Sequence, residues 1–304
     1  MPLRLLNHFL SKEGFDKDLT RILFTIAHAG KYVAHAIRTG DLGLAGTSNL
    51  YGEHQVALDV LSDKIFTEHL KATNLVYSIA SEEQDNEIVL NNKAAFSVAF
   101  DPLDGSSLID TNLSVGSIFA IFKNQGFMGQ KGRDMVAACY LVYGPRTIFV
   151  CALEDRVIEF TQNELGEFVV SKDNIKVKSD SKTFSPGNLR ATIERDDYSE
   201  LVSHWQKLPL TLRYSGGMVA DIHQIFSKES GIFTYPSFSK YPNGKLRLLF
   251  ECAPFAFIAE KTGALAVDEK GREILDIPVK EIHQRTTIMI GSSNEIGKAI
   301  DFLN

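Results

Sequence analysis

Across residues 15–38 the apolar residues Leu19, Ile22, Leu23, Ile26, Ala27, Val33, Ala34 and Ile37 recur mostly every three or four positions, with Asp16, Lys17, Asp18 and Arg21 among the polar positions between them. That period predicts a long helix with one buried face. Residues 39–53 break the pattern with Gly40, Gly43, Gly46 and Gly52, which predicts a mobile loop, serving as a lid or as a plain linker, before a second helix over 56–71. Further along, the pattern changes to short β-branched and aromatic runs at 75–79, 96–100, 115–122, 147–153 and 157–161, mostly bounded by Gly, Asp or Asn. These predict strands of one sheet. A mostly polar stretch at 171–186 precedes strand-like segments at 211–214, 231–234 and 286–290 and helix-like segments at 251–262 and 294–302. The predicted class is α/β with mixed sheets and helices, divided near Ser171 into units 1–170 and 171–304.

Composition narrows the functional classes. The chain has 304 residues, of which 44% are hydrophobic and 23% charged, so it can bury a core and is not expected to be disordered. Thirty-two basic against 38 acidic side chains give a net charge of -6, which repels polyphosphate backbones and makes nucleic acid an unexpected partner. Cys139, Cys151 and Cys252 are odd in number and lack CxxC spacing, so neither a disulfide framework nor a thiolate zinc site is indicated. No run of about 20 apolar residues occurs, and the start lacks a signal-like apolar stretch, so neither a membrane nor secretion is expected. The expected location is the cytoplasm.

The segment richest in chemistry is Asp101-Pro-Leu-Asp-Gly-Ser-Ser107, directly after an apolar strand. Two carboxylates three residues apart, a proline fixing the turn and a Gly-Ser-Ser run present hard oxygen ligands beside backbone N–H groups, a setting for Mg²⁺ and phosphate together. Ser81-Glu-Glu83 also ends a strand, and Glu251 heads an apolar helix. Any one of Glu82, Asp104 or Glu251 alone reads more readily as a cap or a solvated turn; jointly they form what a site for two or three Mg²⁺ ions requires. Glu53 and Asp59 alone read as ordinary helix-start charges. An anionic substrate needs cations as well: Lys245 comes from a turn before Glu251, and Arg213-Tyr214 precedes Ser215-Gly-Gly217. Arg247, from the same turn, reads better as an exposed surface charge. His54, His223 and His283 show no metal-ligand spacing and read as core or surface histidines.

These motifs resemble those of the class I fructose-1,6-bisphosphatases and sedoheptulose-1,7-bisphosphatases, within the metal-dependent sugar and inositol phosphatases. Ser81-Glu-Glu83, Asp101-Pro-Leu-Asp-Gly-Ser-Ser107, Gly244-Lys-Leu-Arg-Leu-Leu-Phe-Glu251 and Ile282-His-Gln-Arg285 match in order and spacing over nearly the whole chain. The resemblance implies a layered α-β-α-β-α fold with two sheets. It implies metal ligands Glu82, Asp101, the carbonyl of Leu103, Asp104 and Glu251, with Glu83 close by, for two or three Mg²⁺ per subunit and with Mn²⁺ able to substitute. It assigns Glu53, Asp59 and Glu83 to catalysis, the leaving phosphate to Asp104, Gly105, Ser106 and Ser107, and the distal phosphate and sugar to Asn188, Tyr214, Tyr235 and Lys245. Arg213 matches an arginine that the family places in a neighbouring subunit's site, which implies a homo-oligomer, a dimer or a tetramer.

The segments Leu108-Ile-Asp-Thr-Asn112, Tyr143-Gly-Pro-Arg-Thr147, Phe184-Ser-Pro-Gly-Asn-Leu-Arg-Ala-Thr192 and Leu212-Arg-Tyr-Ser-Gly-Gly-Met218 look like the sedoheptulose enzyme, whereas Tyr235-Pro236 and Tyr241-Pro-Asn-Gly-Lys245 look like the fructose enzyme. The implied activity is hydrolysis of the C1 phosphate of either sugar bisphosphate or both. Ala95 and Phe96 stand where animal members carry a Lys-Tyr pair that contacts inhibitory AMP, so the resemblance does not extend to AMP control. Nor can the regulatory cysteines of plant members be identified among Cys139, Cys151 and Cys252. The rival readings are an inositol-monophosphatase-like enzyme, which needs no distal pocket around Asn188 and Lys245, and a non-catalytic phosphosugar sensor.

Overall fold

In the computed structural model the described residues are 4–12, 14–40 and 53–304, the side chains of 53–56 excepted. The glycine-rich loop expected at 39–53 falls almost wholly outside them. Strands β1 (Val76–Ser81), β2 (Ile88–Val89), β3 (Phe96–Asp104), β4 (Val115–Phe122), β5 (Met135–Tyr143), β6 (Thr147–Leu153), β7 (Arg156–Gln162) and β8 (Phe168–Lys172) form one sheet in the order β2-β1-β3-β4-β5-β6-β7-β8. Within it only β1 and β3 run parallel; the other neighbours are antiparallel.

Alternation along these strands sends side chains to two different cores, as the pleat requires. Phe119 and Ile121 of β4 and Cys139 and Leu141 of β5 join a core with helices α1 (Leu6–Lys12), α2 (Lys17–Thr39) and α3 (Glu53–Ala72). Their neighbours Ile118, Ala120, Phe122, Ala138 and Tyr140 face the opposite way, onto helices α5 (Met218–Lys228) and α6 (Ala253–Thr262). The three cysteines are free and buried, and Cys139 and Cys151 stand directly opposite each other on β5 and β6.

A second sheet has the order β10-β9-β11-β13-β12, from β9 (Thr183–Pro186), β10 (Thr211–Leu212), β11 (Ile232–Tyr235), β12 (Leu265–Val267) and β13 (Ile288–Gly291). Here β9, β10 and β11 are mutually parallel neighbours, and β13 pairs antiparallel with β11 and β12. Phe233, Ile288 and Ile290 pack inward on the α5 and α6 layer, whereas Phe184, Ile232 and Met289 face helices α4 (Asp196–Gln206) and α7 (Ser293–Leu303). The result is an α-β-α-β-α stack, as the resemblance implies.

The structure departs from the sequence-based elements at particular places. Strand β5 is absent from the expectation because its unbroken apolar run, with Ala137 and Ala138, suits a buried strand or a buried helix equally. Helix α5 lies outside the sequence-based elements too, although Met218, Val219, Ile222, Ile225 and Phe226 recur at helical spacing. The second helix begins at Glu53 rather than at 56.

Sheet and middle layer meet closely at Gly116 of β4, where an added Cβ would run into the Leu141 carbonyl oxygen and the Val219 side chain on α5. A Gly116→Ala substitution therefore has to push α5 away from the sheet. We expect it to lower stability by about 1–3 kcal/mol, read as a lower urea midpoint; an unchanged midpoint would mean that this contact yields freely.

Candidate active site

Parallel pairing of β1 with β3 brings two strand ends to the same edge. Ser81 is in register with Phe100, and the Glu82 N–H continues the ladder by donating to the Phe100 carbonyl at 3.0 Å. Glu82 and Asp101, nineteen positions apart in the chain, are thereby placed side by side. Beyond Asp101 the β3–β4 pairing slips before resuming at Asp104. A bulge of this kind re-aims side chains that a regular strand, with its period of two, would send to opposite faces. Both Asp101 and Asp104 consequently line one cavity of about 430 Å³, together with Leu103, Gly105, Ser106 and Ser107.

Glu251 enters from the second half of the chain, within a π-helical turn, Leu248–Cys252, that runs into α6. Such wide turns interrupt the regular helical ladder and often lie at functional sites. Ligand oxygens of Glu82, Asp101 and Glu251 all lie within 4.8 Å of one another. Asp104 is turned differently: its Oδ2 accepts the Val219 N–H at 2.6 Å, with Met218 also donating, so its charge sits on the N-terminus of α5.

Arg247 is corrected from surface charge to site residue. It is half-buried, its Nη1 donates to Glu82 Oε1, and its backbone N–H donates to Glu251 Oε2 at 2.6 Å. Its position four residues before Glu251 was the signal available in the sequence. Tyr241 and Arg285, from segments quoted above but assigned no role there, also line the cavity. His283 donates from Nε2 to the Gln84 carbonyl at 2.9 Å, and His223 Nδ1 contacts the Tyr140 hydroxyl at 3.0 Å, both in the packing roles expected of them.

Helix α3 contributes Asp59. Two turns along the same face, Phe66 packs on Phe100 and Phe119, with ring centroids 6.1 and 4.8 Å away, which fixes α3 against β3 and β4. Glu83 lines the cavity as well. Glu53 opens α3, but its side chain lies outside the described residues.

Distal candidates come from the other sheet by the same logic of strand ends. Asn188 follows β9, Arg213 and Tyr214 follow β10, and Tyr235 ends β11, so they gather beyond the carboxyl ends of parallel strands, where α/β sheets commonly bind ligands. Tyr214, Tyr235 and Lys245 line the cavity. Asn188 does not line it, but its backbone N–H donates to the Tyr214 hydroxyl, and its own Nδ2 is buried without a partner. Arg213 is exposed and outside the lining, with Nη1 donating to the Leu212 carbonyl at 3.2 Å.

The acidic side of the cavity is electrostatically frustrated. Burial and the charges of Glu82, Asp104 and Glu251 hold the Asp101 carboxyl well above its ordinary range, and burial with Glu82 does the same to Glu251. Burial also raises Asp104 against the opposing pull of the α5 N–H groups, and it raises Glu83, helped by Glu82. Asp59 is pushed up to about 7 by burial and the Glu83 charge, with a Ser106 hydrogen bond opposing. Glu82 Oε2 is buried with no hydrogen-bond partner. An orphaned carboxylate oxygen among close acids is what a bound cation would satisfy, so the donor set fits a hard divalent metal.

A family model described as "Fructose-1-6-bisphosphatase, N-terminal domain" matches residues 5–173, and one described as "Fructose-1-6-bisphosphatase, C-terminal domain" matches residues 177–304. Fructose-1,6-bisphosphatase class 1 of Geobacter sulfurreducens is 45% identical over 300 residues, which is 98% of this chain and 95% of that protein. Chloroplastic sedoheptulose-1,7-bisphosphatase of Triticum aestivum is 42% identical over 295 residues, 96% of this chain and 74% of that protein. The crystal structure of Leishmania major fructose-1,6-bisphosphatase in holo form matches with a TM-score of 0.89 at 31% identity, covering 99% of each chain. Among the described residues, no helix is long and apolar enough to cross a membrane.

The raised carboxyls give stability a definite pH sign. A folded pKa raised above the unfolded value means that the protonated folded form is favoured: the contribution is fully present below 3.8 for Asp59 and is lost as the pH rises through about 7. In chelator-treated protein the acidic cluster should therefore destabilise increasingly over that window, and added divalent cation should raise Tm more at about pH 8 than at about pH 5. Equal gains at both pH values would contradict the assignment of the cation site to these carboxylates.

Proposed function

The chain belongs to the fructose-1,6-bisphosphatase family, and on that premise we propose that it is a Mg²⁺-dependent sugar bisphosphatase. It releases the C1 phosphate of sedoheptulose 1,7-bisphosphate, fructose 1,6-bisphosphate or both. The observation that carries the reading is one cavity with Glu82, Asp101 and Glu251 converging within 4.8 Å and Tyr214, Tyr235 and Lys245 also in its walls. An ester with phosphates at both ends needs both features.

In this reading Glu82, Asp101, the Leu103 carbonyl, Asp104 and Glu251 hold two or three Mg²⁺, with Mn²⁺ accepting the same oxygen ligands. When bound, the metal supplies positive charge that offsets the phosphoryl group and makes water a better nucleophile. The chain's own contribution is positioning. Arg247 holds Glu82 in place while its backbone fixes one Glu251 oxygen, and the α5 N-terminus orients Asp104. Gly105, Ser106 and Ser107 cradle the leaving phosphate with their backbone and hydroxyl groups. Asp59, with a pKa near 7, takes the proton from the attacking water near neutral pH, assisted by Glu53 and Glu83.

Lys245, Tyr214 and Tyr235 receive the distal phosphate and sugar, and Asn188 acts by orienting the Tyr214 hydroxyl. Arg213 points outward beside exposed Leu212, an arrangement suited to a guanidinium that serves a second copy's site in a dimer or tetramer. Residues 1–170 then supply every proposed metal ligand except Glu251, and 171–304 form the sugar-binding unit, of a cytoplasmic enzyme. An inositol-monophosphatase-like enzyme would have no use for the Tyr235 and Lys245 wall, and a non-catalytic sensor would have no reason to keep mutually repelling buried acids.

Phosphate release measured with fructose 1,6-bisphosphate, sedoheptulose 1,7-bisphosphate and inositol 1-phosphate, with Mg²⁺ and with chelator, decides among the three readings. Release from the bisphosphates alone, and only with Mg²⁺, is expected; none from any substrate supports the sensor. Asp101→Asn should cut kcat by at least about 10²-fold while raising the Tm of metal-free protein, because it removes one of the crowded charges. Lys245→Ala should chiefly raise KM. An Asp101→Asn enzyme that kept a tenth of the wild-type rate would refute the ligand assignment.

A further inference from the structure

Tyr241 and Arg285 belong to two concavities at once. They line the active-site cavity and also a neighbouring open cleft of about 610 Å³, whose other charged and titratable walls are Lys240, Lys280 and His283 against one carboxylate, Glu281. Lys245, Tyr214 and Tyr235 line the first cavity alone. The boundary between a catalytic cavity and a basic cleft is thus made in part by two side chains.

Tyr241 is held by an edge-on ring contact with Phe238, centroids 5.5 Å apart, and by a backbone bridge to the same residue, whereas Arg285 is held more lightly. The Arg285 guanidinium lies 5.5 Å from the centroid of the Tyr241 ring, and Nη1 donates to the Lys245 carbonyl. Among the described residues it has no carboxylate partner, so its charge is uncommitted. On the cleft side Lys240 Nζ stands 5.5 Å from the same ring. The backbone beneath is far less adjustable: Arg247 and Arg285 form a β-bridge, and Gly244, at φ 88°, packs so closely on Thr286 that any Cβ would collide with its carbonyl.

We propose that Tyr241 and Arg285 form an adjustable wall that sets which sugar length the enzyme accepts. The inference rests on the bisphosphatase reading above. With the C1 phosphate pinned at the carboxylate cluster, a sugar one carbon longer carries its distal phosphate farther from the cluster. The shorter sugar is served by Lys245, Tyr214 and Tyr235. A longer one presses on the wall, where the unpaired Arg285 guanidinium meets its phosphate and the lysines of the cleft lie beyond. Tyr241 limits how far the wall opens, and Arg285 rewards its opening. Cationic and aromatic contacts of this type discriminate because an unmet phosphate charge loses more than an unfilled apolar gap.

The test is steady-state kinetics of Arg285→Ala and Tyr241→Ala on sedoheptulose 1,7-bisphosphate, fructose 1,6-bisphosphate and fructose 1-phosphate, which lacks the distal group. Arg285→Ala should lower kcat/KM for the sedoheptulose ester about tenfold more than for the fructose bisphosphate, and the penalty should disappear with fructose 1-phosphate. Tyr241→Ala should move the ratio between the two bisphosphates in the opposite direction. Equal losses on both bisphosphates, or a penalty that persists with fructose 1-phosphate, would overturn the wall and leave the bisphosphatase reading standing. A wild-type enzyme inactive on both bisphosphates would remove that reading and this inference with it.

Discussion

Repulsion among carboxylates that the fold forces together is the constraint around which the site is arranged. Glu82 and Asp101 stand side by side because parallel strands end at a common edge, and Glu251 is driven toward them by a widened helical turn. Left to themselves, such groups would take up protons or swing into solvent. They are instead held by a small number of donors: Arg247 for Glu82 and Glu251, the first turn of α5 for Asp104, and the Leu103 N–H for Asp101 at 2.9 Å. Those donors leave one Glu82 oxygen unsatisfied. The arrangement preorganises negative charge at a cost in stability, the setting that a hard cation suits.

Layering explains how two distant parts of the chain meet there. Each sheet contains a parallel portion, and the carboxyl ends of both portions open onto the same cavity, the first sheet giving acids and the second giving phenols and, nearby, the Lys245 turn. The middle helices couple the two halves. Helix α5 touches Asp104 through its N-terminus, packs Val219 against Gly116 of the first sheet and approaches the second sheet through Ile225 beside Gly231. Displacing this helix would therefore disturb acid placement and sheet packing together.

Much of this was legible in the sequence, for identifiable reasons. Strands announced themselves as short β-branched and aromatic runs bounded by Gly, Asp or Asn, and Ser81-Glu-Glu83 and Asp101-Pro-Leu-Asp-Gly-Ser-Ser107 stood out because they end apolar runs with carboxylates. The order of layers was not derivable from periodicity and came through resemblance, since a single sequence does not state which sheet faces shared helices. Arg247 was misjudged because a charged residue beside a turn is usually solvated; only burial beside Glu82 distinguishes it. The Tyr241 and Arg285 boundary was invisible for a different reason: both residues could be read, but a wall common to two hollows exists only in three dimensions.

Cys139 and Cys151 face one another across adjacent strands beneath the α1 to α3 layer, and Cys252 lies in the π-helical turn; burial raises the pKa of all three. Thiols that are neither exposed nor ionised do not react with alkylating reagents. Each half of the molecule beside the acidic cavity thus carries a chemically silent sulfur, and the rate at which it becomes modifiable is an intrinsic clock for how often that half opens.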